Sequence, residues 1–109
     1  MKIAIIGSRN ITVDNMEEFV SECTEIVTGG AKGVDSCAAK YAEKHSLRLT
    51  VFLPKYSLYG RAAPIMRNKE IVDYSDAVLA FWDGSSKGTM SVIKYAEKSG
   101  KPCRIIICR

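Results

Sequence analysis

Five short apolar runs constrain this chain more than any other feature: Lys2–Ile6, Thr24–Thr28, Arg48–Leu53, Ala77–Trp82 and Arg104–Cys108. Each is rich in Ile, Val, Leu or Phe, and each is continuous rather than alternating. Continuous short apolar runs mark strands covered on both faces, as in a parallel sheet. Their starts lie about 20 to 30 residues apart, which leaves room for a crossover helix between each successive pair.

The intervening segments carry helical periodicity. Asp14–Glu22 presents Met16, Phe19 and Val20 as an apolar stripe. Val34–Lys44 presents Val34, Cys37, Ala38, Tyr41 and Ala42, an i, i+3, i+4, i+7, i+8 face. Pro64–Tyr74 opens on a proline in its first turn, where a missing N–H costs nothing, and continues with Ile65, Met66, Ile71 and Val72. Thr89–Lys98 carries Met90, Val92, Ile93 and Ala96, and Gly100 is placed to close it. The alternation β-α-β-α-β-α-β-α-β predicts an α/β fold, a Rossmann-like three-layer α/β/α sandwich with a five-stranded parallel sheet. The expected strand order is 3-2-1-4-5. The 109 residues read as one domain spanning 1–109, without repeat or linker, and Pro54–Ala63 is the longest connection.

In an open α/β sheet the ligand crevice lies beyond the carboxyl ends of the strands at the switch point, here between the first and fourth strands. The turns expected there have unusual composition. The first strand ends in Gly7-Ser8-Arg9, the second in Gly29-Gly30-Ala31-Lys32-Gly33, and the fourth in Asp83-Gly84-Ser85-Ser86-Lys87-Gly88-Thr89. Glycine lets backbone N–H groups approach an anion without a Cβ in the way. The helix that follows aims unpaired N–H groups and its positive dipole end at the same point. Ser85, Ser86 and Thr89 add hydroxyls. Arg9, Lys32, Arg61, Arg67 and Lys87 are expected on this edge against Asp35 and Asp83, with Arg67 and Asn68 near the start of their helix. Asp35 is expected either to hold a ribose hydroxyl or to stabilise its own helix start. Tyr56, Tyr59 and Trp82 are candidate stacking surfaces for a base, Trp82 also a core residue. His45 is expected to cap a helix C-terminus.

Several classes are disfavoured. G-x-G-x-x-G is absent, and Lys87 is followed by Gly88 rather than Ser or Thr, so neither a dinucleotide fingerprint nor a Walker loop is present. Cys23, Cys37, Cys103 and Cys108 have no C-x-x-C spacing and are accompanied by one histidine, which points to buried thiols rather than disulfides or a metal site. The net charge of +4 suits an anionic ligand and is mild for a duplex-DNA binder. No run approaches the roughly 18 apolar residues of a membrane span. Met1–Gly7 is too short an apolar start for a signal sequence, so the expected location is cytoplasmic, with no membrane partner.

Taken in order, Gly7-Ser8-Arg9, Thr28-Gly29-Gly30-Ala31-Lys32-Gly33-Val34-Asp35, Gly60-Arg61-Ala62-Ala63-Pro64-Ile65-Met66-Arg67-Asn68 and Ala80-Phe81-Trp82-Asp83-Gly84-x-Ser86-x-Gly88-Thr89 resemble a family. The chain is similar throughout its length to the YspA-like branch of the SLOG superfamily, the Rossmannoid group that includes Smf/DprA and LOG-type proteins. The resemblance implies a nucleotide-derived ligand held by Gly7, Ser8, Arg9, Gly29, Gly30, Gly33, Asp35, Arg67, Asn68, Ser86, Gly88 and Thr89. Lys32, Asp83, Gly84 and Ser85 join that set from their places in the turns. LOG-type phosphoribohydrolases carry P-G-G-x-G-T-x-x-E, and here Val92 stands at the glutamate position. The resemblance therefore implies a retained pocket without the LOG chemistry, a binding or sensor module that needs no cofactor beyond its nucleotide. Two other readings stay open. One is a nucleotide N-glycosidase using Asp83 or Asp35 as acid or base; the other is a module for single-stranded nucleic acid. A homo-oligomer is a further expectation from relatives.

Overall fold

A computed structural model describes residues 1–20 and 22–108. The five strands are β1 (Lys2–Gly7), β2 (Glu25–Thr28), β3 (Arg48–Val51), β4 (Ala77–Trp82) and β5 (Cys103–Ile107). They form one all-parallel sheet, as the alternation of elements predicted, in the expected order β3-β2-β1-β4-β5. In register Ile3 pairs with Ile26 on one side and Ala77 on the other, so β1 is the central strand. The helices are α1 (Val34–Lys44), α2 (Tyr56–Tyr59), α3 (Ala63–Tyr74) and α4 (Lys87–Lys98).

The alternation hidden in the apolar runs appears in the two cores. Ala4, Ile6, Val27, Val78 and Ala80 point to one face, where Ile71 and Val72 of α3 and Val92, Ile93 and Ala96 of α4 cover them. Ile5, Ile26, Leu79 and Phe81 point to the other, covered by Val34, Ala38 and Ala42 of α1. The three central strands are thus buried on both faces. The edge strands differ from expectation: Leu49, Val51, Ile105 and Ile107 are 39–49% exposed. The helices lie over the inner strands, and an edge strand has a neighbour on one side only.

The expected helix over Asp14–Glu22 is a single 3-10 turn, Met16–Glu18; its Ser21 lies outside the described residues. Met16 and Val20 are buried and Phe19 packs partly, so the apolar stripe points correctly without regular helix. Asn15 precedes the turn and donates its side-chain amide to Glu18 at 2.8 Å, and it makes no side-chain cap to the N–H groups of the turn. Glu22, at φ +26°, turns the chain toward β2. The Pro54–Ala63 connection holds α2 and a 3-10 turn, Gly60–Ala62. Gly100, at φ +73°, closes α4 as expected, and the Lys101 N–H donates back to Ala96 at 2.9 Å. His45 does cap α1, and its ring stacks on Tyr41 with centroids 4.3 Å apart. No described helix is long and apolar enough to cross a membrane.

Gly7 ends the central strand at a point of close approach. A Cβ there would lie 2.5 Å from Val34 Cγ2 and 2.6 Å from the Phe81 carbonyl oxygen. Neither can yield readily, since one is a stiff β-branched side chain at the start of α1 and the other is backbone. Gly7→Ala is expected to cost about 1–3 kcal/mol through overpacking, read as a fall in the denaturation midpoint by several degrees. An unchanged midpoint would show that α1 is not held against β1 in this way.

Candidate functional site

The carboxyl ends of β1, β2 and β4, with the starts of α3 and α4, enclose a cleft of about 370 Å³. Among the described residues seven polar or charged side chains are buried. Four of them, Ser8, Asp35, Asn68 and Thr89, line this cleft. Burying polar groups costs free energy unless they are paired, so their concentration here marks a place built for something other than packing. The other buried carboxylate, Glu25, lies at the opposite edge and is committed to Thr50, Tyr74 and Arg48.

The β1 turn supplies Ser8. Its N–H donates to the Phe81 carbonyl at 3.2 Å, and its hydroxyl accepts the Asp83 N–H at 3.4 Å, which joins the first and third turns. The β2 turn is held by Asp35. Its Oδ2 accepts the N–H groups of Gly29 and Ala31, both at 3.2 Å. Asp35 thus folds back onto the turn that precedes its helix, and no side chain caps the α1 start, so the expected stabilisation of its own helix start is not what its hydrogen bonds do. Burial pushes its carboxyl above the ordinary value, against the opposing pull of those two N–H groups and of Arg67 and Arg9.

Arg67 crosses from α3 to the same turn. Its Nη1 donates to the Gly29 carbonyl at 2.8 Å, and its Nε to Asn68 Oδ1 at 2.9 Å. A Cβ on Gly29 would come within 2.7 Å of that Nη1, so glycine makes room for the guanidinium. Gly33, at φ +75°, starts α1 where a Cβ would lie 2.5 Å from the Arg9 carbonyl oxygen.

The β4 turn folds around Asp83. Its Oδ1 accepts the N–H groups of Ser85 at 2.9 Å and Ser86 at 2.8 Å, and those bonds hold its carboxyl below the ordinary range. The Trp82 indole donates to the Ser86 carbonyl at 3.0 Å. Ser86 caps α4, its hydroxyl oxygen accepting the Thr89 N–H at 3.4 Å. By helix geometry the N–H groups of Lys87 and Gly88 have no acceptor within the helix. Around Gly88 an added Cβ would meet nothing within 4 Å. Its backbone needs no glycine, so the missing side chain leaves open space at the positive end of α4.

The cleft brings together Gly7, Ser8, Arg9, Gly29, Asp35, Arg67, Asn68, Asp83, Ser86, Gly88 and Thr89. Gly30, Lys32, Gly33, Gly84 and Ser85 do not line it; Gly84 and Ser85 face a neighbouring groove. Of the five cations expected on this edge, Arg9 and Arg67 line the cleft together with both carboxylates. Its side-chain charge is balanced rather than positive, because Lys32 and Arg61 point into solvent and Lys87 lies on the groove side of α4. Tyr56 and Tyr59 stand exposed on α2 outside the cleft, and Trp82 lines the groove. Asn10, Ala31 and Pro64 also line the cleft, with Ile6, Ile71 and Val92 as its apolar floor. Pro64 was visible as a helix start, but nothing in the local pattern marked Asn10. No family model, curated protein or solved structure matches the chain.

The raised carboxyl of Asp35 has a pH signature. A group whose folded value lies above its unfolded value favours the fold below the unfolded value and loses that contribution as pH rises through the folded one. Asp35→Asn keeps an oxygen for Gly29 and Ala31 and removes the charge. The variant's stability relative to wild type is expected to be greater at about pH 7 than at about pH 4 in paired denaturant titrations. The opposite slope would contradict burial as the dominant influence on this group.

Proposed function

We propose that the cleft binds a nucleotide or ADP-ribose-like molecule through phosphate, as a recognition or sensor module without phosphoribohydrolase chemistry. The observation that carries this reading is the open space at Gly88. A helix start that is capped by Ser86, has N–H groups to spare and carries no Cβ is suited to close approach by an anion. Arg67 adds charge-assisted donors: two of its five N–H groups are committed to Gly29 and Asn68, and three are left over. The ligand's sugar and base would lie toward Pro64, Asn68 and the Ile71–Val92 floor. Membership of the YspA-like SLOG branch is part of the proposal, and the order of its four motifs supports it.

The absence of hydrolysis rests on Val92 and on Asp83. Val92 is buried in the cleft floor at the position where the resemblance would put a catalytic glutamate. Asp83 spends its carboxylate on the turn and is held ionised, which suits it poorly as a general acid. One observation favours the enzymatic alternative. Asp35 is a cleft carboxyl with a raised proton affinity, so an N-glycosidase reading runs through Asp35 rather than Asp83.

Calorimetry with adenosine monophosphate tests the proposal. Arg67→Ala and Gly88→Ala are each expected to weaken binding about tenfold or more, the loss of one charge-assisted hydrogen bond or of the close approach. Gly88→Ala should leave the denaturation midpoint unchanged or slightly raised, since alanine is the better helix residue. Wild-type affinity in both variants would remove the phosphate from the α4 start. Release of adenine, lost in Asp35→Asn, would establish the enzymatic reading instead.

A further inference from the structure

Beside the cleft, between α3 and α4, lies a second groove of about 610 Å³. Four lysines line it, Lys69, Lys87, Lys94 and Lys98, with Tyr95 and Trp82 among its apolar walls. Its lining contains no Asp or Glu. None of the four lysines is within 4.0 Å of a carboxylate among the described residues, where the ion pairs are Arg48–Glu25 and Lys55–Glu70. The chain has 16 basic and 12 acidic residues, so the four lysines of this one groove equal its whole excess of positive charge. Lys87, Lys94 and Lys98 are spaced seven and four residues apart, which puts them in a row along one face of α4. Lys87 and Lys94 are about 10 Å apart along the helix axis. Collecting like charges costs self-repulsion, and a bound polyanion reverses that cost.

The groove and the cleft adjoin each other. Asn68 lines both, and the first turn of α4 divides them, with Ser86, Gly88 and Thr89 on the cleft side and Gly84, Ser85 and Lys87 on the groove side. A phosphate at the α4 start would therefore sit between a cleft of balanced charge and a row of lysines that have no carboxylate within 4.0 Å among the described residues. We infer that the groove is a subsite for further linked phosphates, so that the molecule recognised is a nucleoside polyphosphate rather than a monophosphate. This rests on the nucleotide-binding reading of the cleft. The cleft alone offers no net positive side-chain charge to repay a second or third phosphate, whereas the lysine row does.

The test compares adenosine mono-, di- and triphosphate in magnesium-free buffer, by calorimetry, on wild type and on the double variant Lys69→Ala/Lys94→Ala. Both lysines are exposed, so folding is expected to be unaffected and is checked by the denaturation midpoint. For wild type the triphosphate is expected to bind about tenfold or more tighter than the monophosphate, with an advantage that shrinks as salt rises. In the double variant that advantage should fall to about threefold or less, with monophosphate affinity unchanged. Equal affinity for all three nucleotides, or an advantage that survives the double variant, overturns the subsite while leaving the cleft reading intact. No binding of any adenosine nucleotide overturns both. Binding of oligo(dT), lost in the double variant, with no triphosphate advantage would give the groove to single-stranded nucleic acid and likewise overturn it.

Discussion

The bond from Arg67 to the Gly29 carbonyl is the interaction on which the rest of the site depends. It runs from a helix on one face of the sheet to the turn at the end of β2, at 2.8 Å, across a gap that any side chain at position 29 would fill. With Arg67 tied there, Asn68 is buried beside it and Pro64 forms the rim, so α3 becomes one wall of the cleft. Asp35 holds the same turn from the opposite side through the N–H groups of Gly29 and Ala31. The guanidinium and the carboxylate thus meet at one glycine. Neither is deeply stabilising by itself, because each gives up hydration to be there. Together they hold the turn from both sides of the cleft.

This arrangement explains which parts of the molecule were legible in the amino-acid sequence. The sheet was, because Ile5, Ile26 and Leu79 on one face and Ala4, Val27 and Val78 on the other leave the central strands apolar throughout. The expected strand order is the observed one, although the alternation of strands and helices alone admits others. The Asp14–Glu22 segment was not, since Met16, Phe19 and Val20 have helical spacing whether or not the backbone between them is helical. Burial patterns constrain side chains and leave the backbone path between them open; here it runs through one 3-10 turn and a positive φ at Glu22. The exposed edges of β3 and β5 were also hidden: a continuous apolar run reads the same in the centre of a sheet and at its border.

For the cleft, the glycine-rich turns located the edge of the sheet but did not separate two kinds of glycine. Gly7 and Gly33 are demanded by backbone carbonyl oxygens 2.5–2.6 Å from a missing Cβ, and Gly29 leaves room for the Arg67 guanidinium, whereas Gly88 faces open space. Sequence alone treats them alike. The same holds for charge. Lys87 and Gly88 are adjacent in the chain, yet one faces the lysine groove and the other the cleft, because successive helical residues point about 100° apart. Asp83 and Asp35 were equivalent candidates for acid–base work in the sequence. Their hydrogen bonds divide them, holding one ionised in an exposed turn while burial raises the other.

In the proposed binding mode an anion is held at the α4 start by backbone N–H groups and by Arg67. A titration of nitrogen-15 labelled protein with adenosine monophosphate, followed by amide and guanidinium resonances, tests it most directly. The largest shifts are expected at the Gly88 and Thr89 amides and at Arg67 Nε, with saturation, while the Glu25 end of the sheet stays silent. Shifts confined to other surfaces, or none at the α4 start while the nucleotide binds, would contradict it.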